Sequence, residues 1–204
     1  MELFACDDDL QRLINEAAVR YEGGIHPKHR LMDYHRFFIQ RLVSGERVLD
    51  IGCGYGAGAF SIANAGMIVT GMDINDRSIV EARRRYQHPK LTFLTGDVTQ
   101  TLPQGPFDAV VISNVLEHLD HRDVFLKTVQ ERIQPRRWLI RVPMINRHWT
   151  VYMRKELGLW YYSDPTHFVE YTIETFKDEM QSAGFAVDHL EIVWGEIYAE
   201  VHHA

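Results

Sequence analysis

The chain has 204 residues, 46% hydrophobic and 25% charged, with a formal net charge of −6, which is the make-up of one globular domain with a full core and too little length for two α/β domains. That acidic balance leaves no global field for gripping a phosphate backbone, so nucleic acid is not an expected partner. No stretch reaches the roughly 18 apolar residues of a membrane span, the opening "MELFACDDDLQ" is acidic where a secretory leader is basic, and Cys6 and Cys53 are too few for a disulfide scaffold; a cytoplasmic protein is expected.

In chain order, Leu10 to Tyr21 and Lys28 to Val43 have helical apolar spacing, parted by Gly23-Gly24. Arg47 to Ile51 reads as the first strand and Ala57 to Ala65 as a helix. Met67 to Met72 is the second strand, ending at Asp73, before a charged helix from Asp76 to Tyr86. Leu91 to Leu94 is the third strand, closed by Gly96-Asp97, and Phe107 to Ser113 a fourth, apolar enough to be buried on both faces. A helix from Asp123 to Ile133 and a fifth strand from Trp138 to Val142 follow. From Pro143 to His167 the alternation breaks down into a segment rich in Trp, Tyr and Arg. It resumes with a helix from Ile173 to Ala183, an apolar run from Phe185 to Val193, and a last short strand, Ile197 to Val201. Strands alternating with helices imply βαβ units and an open sheet covered on both faces, all in one domain.

In such a sheet, ligands bind beyond the carboxyl ends of the strands where strand order reverses. The glycine turn in "VLDIGCGYGAG", which starts at Val48, the acid Asp73 and the loop after the fourth strand therefore converge on one crevice. The turn fits the dinucleotide pattern loosely, and Asp73 stands where an acid meets a ribose diol, so NAD is a candidate. Three features point elsewhere. Asp50, two residues before Gly52, would repel a pyrophosphate and welcome an ammonium group. Asp97, just beyond the third strand, can accept from an adenine amino group. No second domain is available to hold a substrate against a nicotinamide. Ammonium, ribose and adenine without phosphate describe S-adenosylmethionine.

"VLDIGCGYGAG", "GMDIN", "GDV" and "FDAVVISNVLEHL", in this order and spacing, resemble the signature of class I S-adenosylmethionine-dependent methyltransferases over Arg47 to Val142. The later "SDPTHFVEYTIETFKDEMQSAGF" resembles a subgroup linked to glycan, lipid or quinone biosynthesis. The resemblance implies a three-layer, doubly wound, Rossmann-like α/β fold of seven strands with the last antiparallel, and S-adenosylhomocysteine as product. It also implies roles. Gly52, Gly54 and Gly56 let the backbone approach the methionine part, with Cys53 as a small turn residue among them, and Asp50 holds the amino group. Asp73 takes both ribose hydroxyls, Ile74 lies on the adenine face, Asp97 meets the adenine amino group, and Val98 gives a backbone contact. Asn114 lies under the methionine end near the transferred methyl.

Methyl transfer to a hydroxyl needs a base near that methyl. His167, beside the irregular segment, is the candidate, with hydrogen-bonding that segment in place as its alternative role, and His118 is the second, with helix capping as its alternative. Some members of the family carry Glu-x-x-Glu-His after the fourth strand and bind a divalent ion there; here the first acid is replaced by Asn114, so Glu117 and His118 form an incomplete pair and no metal is expected. Trp149, Tyr152, Trp160, Tyr161 and Tyr162, with Arg147, Arg154 and Lys155, make an aromatic and cationic segment suited to a sugar, ring or anionic acceptor, or to a lid packed on itself. Arg30 is a candidate for the methionine carboxylate, with a solvated helix residue as its alternative role, and Arg83 to Arg85 lie on a solvated helix face. The expected partner is a small-molecule or glycan acceptor, methylated on a hydroxyl, with a homodimer also open to the exposed aromatics. The rival readings are an amine, carboxylate or catechol-like acceptor, or a cofactor-binding protein without turnover.

Overall fold

The computed structural model of the chain describes residues 13, 14, 17, 18, 20, 21 and 31–204. By packing, the chain divides into two compact units, 1–36 and 37–204. In the first, every described position from Leu13 to Tyr21 is helical; the remainder of the expected Leu10 to Tyr21 helix lies outside the described residues. The expected Lys28 to Val43 helix is interrupted. Leu31 and Met32 are helical, but Asp33 takes a left-handed φ of 44° and helix α1 runs only over His35–Arg41. Aspartate tolerates that conformation better than most residues, and the apolar spacing that suggested one helix does not register it.

The second unit is a single mixed sheet. β1 (Arg47–Ile51), β2 (Ile68–Asp73), β3 (Leu91–Thr95), β4 (Ala109–Ser113), β5 (Arg137–Pro143), β6 (Phe185–Val193) and β7 (Glu196–His203) lie in the order β3-β2-β1-β4-β5-β7-β6. The first five strands are parallel, while β7 pairs antiparallel with both β5 and β6. The seven-stranded doubly wound sheet with an antiparallel last strand is thus the observed one; β6 covers the expected run, and β7 is longer than the expected Ile197 to Val201.

The helices owe their positions to local signals. α2 (Ala57–Asn64) starts at Gly56, whose φ is 83°, and buries Ala59, Ile62 and Ala63, one face of a helix. α3 (Asp76–Arg85) is capped by Asn75, whose side chain accepts from Ser78 N at 3.2 Å, and closes on three arginines that complement its carbonyl end. α4 (Arg122–Ile133) buries Phe125, Leu126, Val129 and Ile133. α6 (Ile173–Ser182) has a Thr172–Thr175 capping box and buries Phe176 and Met180.

Between β5 and α6 no periodicity is visible in the sequence, yet a 3₁₀ turn (Ile145–Arg147) and helix α5 (Trp149–Glu156) form there. The buried face of α5 is only Val151 and Arg154, too narrow a stripe to read as a helix in advance. β4 is buried from Ala109 to Ile112, as a strand covered on both faces must be. A continuous core joins β1, β4, β5 and β7 to α4 and α6 around Trp138, Tyr171 and Phe176. Strand order reverses between β1 and β4, so the crevice for a ligand lies beyond the carboxyl ends of those two strands.

Candidate functional site

β1 delivers Asp50 and then the glycine turn. Gly52 N and Cys53 N both donate to Met72 O, at 2.8 and 3.1 Å, which pins the turn to the end of β2. Gly52, Gly54 and Gly56 all have positive φ, 70°, 53° and 83°. A Cβ on Gly52 would stand 2.3 Å from Val115 Cγ2, and one on Gly56 would stand 2.5 Å from Phe93 Cζ. A Cβ on Gly54 would meet nothing within 4 Å, so the side-chain face of this glycine is open space that a ligand can enter closely.

Asp73, at the end of β2, accepts from Gly54 N at 2.8 Å through Oδ2 and from Asn75 N at 2.8 Å through Oδ1. These bonds orient the carboxylate while leaving each oxygen a further lone pair for a diol. Asp50 is buried, and burial followed by the charge of Asp73 raises its pKa to about 7. The Cys53 thiol is pushed up by burial and then by the same two carboxylates, so it is not a thiolate nucleophile. A carboxyl whose ionisation is held back by burial and by a neighbouring carboxylate fits a cationic ligand, whose charge would relieve it. Ile74 follows with its side chain 70% exposed, free to lie against a flat ring.

The remaining expected contacts are placed less uniformly. Asp97 spends its carboxylate on its own turn: Oδ1 accepts from Thr99 N at 2.9 Å and Thr99 Oγ1 at 2.6 Å, and Oδ2 from Gln100 Nε2 at 2.9 Å. The Thr99 bonds hold its pKa below the usual value. Val98 packs its side chain on the core, which leaves its backbone for a contact. Asn114 sits directly after β4 with φ 54°, and its Oδ1 is buried with no hydrogen-bond partner. A left-handed residue with an unsatisfied buried oxygen at the switch point makes Asn114 a candidate ligand contact. Arg30 lies outside the described residues.

Val115, packed against Gly52, links this cradle to a second cluster. Glu117 and His118 lie in a 3₁₀ turn (Leu116–His118), and Phe168 N donates to Glu117 O at 2.8 Å, which brings His167 alongside. The rings of His118 and His167 meet edge to face, 4.6 Å between centroids. Ligating atoms of Glu117, His118 and His167 all lie within 4.8 Å of one another. The pair that sequence left incomplete thus has a third candidate ligand, supplied from 49 residues along the chain.

Glu117 is fully buried and neither carboxylate oxygen has a partner; burial raises its pKa to about 7 against the lowering effect of its backbone bond and of His167. His118 bonds Thr166 Oγ1 through Nδ1 at 2.7 Å, and burial, then His167, hold its pKa below the usual histidine value. His167 behaves oppositely. Burial opposes its protonation, but the hydrogen bond from Nδ1 to Glu170 Oε1, 2.9 Å, and the charges of Glu170, Glu117 and Asp164 outweigh it and raise the pKa. Glu170 is itself fixed by Ser163 N at 2.6 Å and Ser163 Oγ at 2.8 Å.

Glu170 and Ser163 escaped the sequence reading. Their only signal is the polar run around "SDPTHFVE", which says nothing about which side chains meet. A second missed group is the buried pair Arg141 and Glu196, with Arg147 Nη1 3.0 Å from Glu196 Oε1 and Arg141 Nη1 donating to Ser113 Oγ at 3.2 Å. It fastens the β6–β7 hairpin to the end of β4, beside Asn114. Of the expected acceptor-side aromatics, Trp149, Tyr152 and Trp160 are exposed, and Tyr161 stacks on Tyr162 at 4.8 Å. Arg83 donates to Phe93 O at 2.6 Å while Arg84 and Arg85 pair with Glu81, so this run is a helix surface.

The "methyltransferase domain" family model matches residues 24–190. The fatty-acid O-methyltransferase of Mycolicibacterium smegmatis is 38% identical over 113 residues, 53% of this chain and 40% of that protein. The ubiquinone biosynthesis O-methyltransferase of Albidiferax ferrireducens is 30% identical over 125 residues, 58% of this chain and 50% of that protein. This chain therefore spans half or less of the length of these curated relatives. Among solved structures, the magnesium protoporphyrin IX methyltransferase of Synechocystis PCC 6803 with bound SAH has the same fold at a TM-score of 0.68 and 20% identity, over 85% of this chain and 83% of that one.

Proposed function

This chain belongs to the methyltransferase-domain family, and from that premise we propose that it transfers a methyl group from S-adenosylmethionine to a hydroxyl of a small apolar acceptor, with His167 as the base. The cofactor supplies, when bound, a methyl group on a sulfonium whose positive charge makes it an electrophile. Asp50 and Asp73 favour that cationic ligand and its ribose, the open face of Gly54 admits it, Ile74 gives a flat apolar contact, and Asn114 Oδ1 has an acceptor to offer near the reacting end.

The observation that carries the reading is the His167–Glu170 bond. With Nδ1–H donated to Glu170 Oε1, the neutral ring presents Nε2 as the proton acceptor. The acceptor hydroxyl gives its proton to Nε2 as its oxygen forms the bond to the methyl carbon. The bound sulfonium would give up its methyl group, keep the carbon–sulfur electron pair and become a neutral thioether. His167 is cationic afterwards, a state that Glu170 and Glu117 stabilise. The printed names of the relatives, a fatty-acid and a ubiquinone-pathway O-methyltransferase, support an apolar acceptor.

A specific observation favours one second reading. Glu117, His118 and His167 offer one carboxylate and two imidazoles in mutual reach, a donor set that suits a divalent ion and would satisfy the unpartnered Glu117 oxygens. In that reading the three residues would hold an ion that polarises the acceptor hydroxyl, and a catechol-like acceptor fits best. The test is SAH release from S-adenosylmethionine over a panel of long-chain, phenolic, catechol and sugar hydroxyls, with and without chelator. Release that ignores chelator and collapses in His167→Ala supports the base reading. Release abolished by chelator moves the role to the metal. Absence of release from every acceptor, with SAH still bound, favours a cofactor-binding protein without turnover, and loss of SAH binding in Asp73→Ala checks the cradle.

A further inference from the structure

His118 and His167 are carried by two separate irregular segments. The first, 114–120, follows β4 and holds Glu117 and His118; the second, 163–171, leads into α6 and holds Thr166, His167 and Glu170. At the site itself they meet through Phe168 N on Glu117 O, 2.8 Å, and His118 Nδ1 with Thr166 Oγ1, 2.7 Å. Bonds so close together leave a hinge about which the rings can swing, so a fixed spacing calls for a second anchor away from them.

Glu179, on α6, supplies that anchor. Its Oε1 accepts from Tyr171 Oη at 2.7 Å, at the end of the second segment, and its Oε2 accepts from Arg122 Nε at 2.7 Å. Arg122 Nη1 in turn donates at 2.8 Å to the carbonyl oxygen of Leu119, the residue after His118. One carboxylate thus ties the neighbour of His118 to Tyr171, the neighbour of Glu170. The tie is largely shielded from water: the Arg122 and Glu179 side chains are 17% and 14% exposed, and Tyr171 is buried. Neither charged residue serves its own helix. Arg122 opens α4, at the end that favours an anion, and the side chain of His121 does not cap that helix. Glu179 lies in the last turn of α6, the end that favours a cation, and no basic residue stands there. Each has the wrong sign where it stands, and the two are accounted for only as a pair across the helices.

We propose that Arg122, Glu179 and Tyr171 are positioning residues that set the spacing of the His118 and His167 rings from behind the site, and so align His167 with the reacting atoms. The alignment rests on the proposed function; the control of ring spacing does not. The test compares Glu179→Gln and Tyr171→Phe with Met180→Ala, which removes buried packing from the same helix and leaves the tie whole. A glutamine has one acceptor oxygen in place of two, so it keeps one arm and turns an N–H against the donor of the other. Phenylalanine keeps the ring contact with Phe176, 5.8 Å between centroids, and loses only the hydroxyl arm.

The full chain is measured in chelator, so that no ion bridges the rings. The readouts are SAH affinity, Tm, the nuclear Overhauser effect between the His118 and His167 ring protons, and kcat and KM on the acceptor with the highest turnover. Both tie variants should lose the ring-to-ring effect and about ten- to a hundredfold in kcat, with KM and SAH affinity kept. Met180→Ala should lower Tm and keep the ring-to-ring effect and kcat. A ring-to-ring effect unchanged in both tie variants, losses that Met180→Ala shares in proportion to its Tm, or loss of SAH binding by both tie variants overturns the proposal. A lost ring-to-ring effect with kcat unchanged upholds the spacing and overturns the alignment of His167. A native chain that turns over no acceptor overturns the methyl-transfer reading, and the ring-to-ring effect then decides the tie by itself.

Discussion

The candidate cofactor cradle and the candidate acceptor side are built from different materials. The cradle is made of backbone: three positive-φ glycines, two turn amides on Met72 O, and a carboxylate oriented by Gly54 N and Asn75 N. The acceptor side is made of side chains that meet across long stretches of sequence: His118 with Thr166, His167 with Glu170, Glu117 beneath both histidines. The first region presents shape and fixed negative charge. The second presents titratable groups, one histidine pushed down and one raised, with a buried carboxyl whose pKa stands at about 7. A ligand common to many reactions suits the first arrangement, and a reaction that must move a proton suits the second.

That contrast can be broken by substitutions that ought to affect one region and spare the other. The largest effect is expected for His167→Ala, which should slow hydroxyl methylation by roughly 10²- to 10⁴-fold with SAH affinity kept; equal losses of rate and SAH affinity would show that the two regions are not separable. Activity of the native enzyme should rise with pH as His167 loses its proton, at a midpoint above the ordinary histidine value. Glu170→Gln should move that midpoint to lower pH, because Glu170 stabilises the charged ring.

Gly52→Ala should cost about 2–4 kcal/mol of stability through the left-handed backbone and the Val115 contact, seen as a drop in Tm, together with loss of SAH binding. The pH dependence of stability sharpens the comparison further. Glu117 has a folded pKa raised from 4.5 to about 7, so its contribution is full below pH 4.5 and is lost as pH rises to about 7. In chelator, Glu117→Gln should therefore gain on the native chain across that window, by up to the order of 3 kcal/mol at its upper end, measured by denaturant unfolding; a constant difference would remove Glu117 from the account. The smallest effect is expected at Asp97. Its oxygens already serve Thr99 and Gln100, so Asp97→Asn should weaken SAH binding by about threefold or less, by calorimetry.

The cradle was legible because each of its parts is local. A glycine turn between a strand and a helix, an acid ending the next strand, and an asparagine after the fourth are readable from spacing alone, since the parallel sheet sends every carboxyl end to one edge. The acceptor side was legible only in part. His167 and His118 stood out as residue types, but nothing in the sequence placed them 4.6 Å apart or supplied Glu170 as the partner that fixes the tautomer. α5 was missed because two buried residues do not make a visible stripe.

By itself, then, the sequence determined the alternation of strands and helices, the glycine turn and the acids at the ends of β1 and β2, because these depend on backbone conformation and on periods of two and 3.6 residues. Only the tertiary structure decided that Asn114 takes a left-handed backbone with a buried, unpartnered oxygen, and that Glu117, His118 and His167 share one small volume. Those facts depend on where β5, the inserted segment and the β6–β7 hairpin pack against the end of β4, and such packing joins residues too far apart in the chain for any local pattern to relate them.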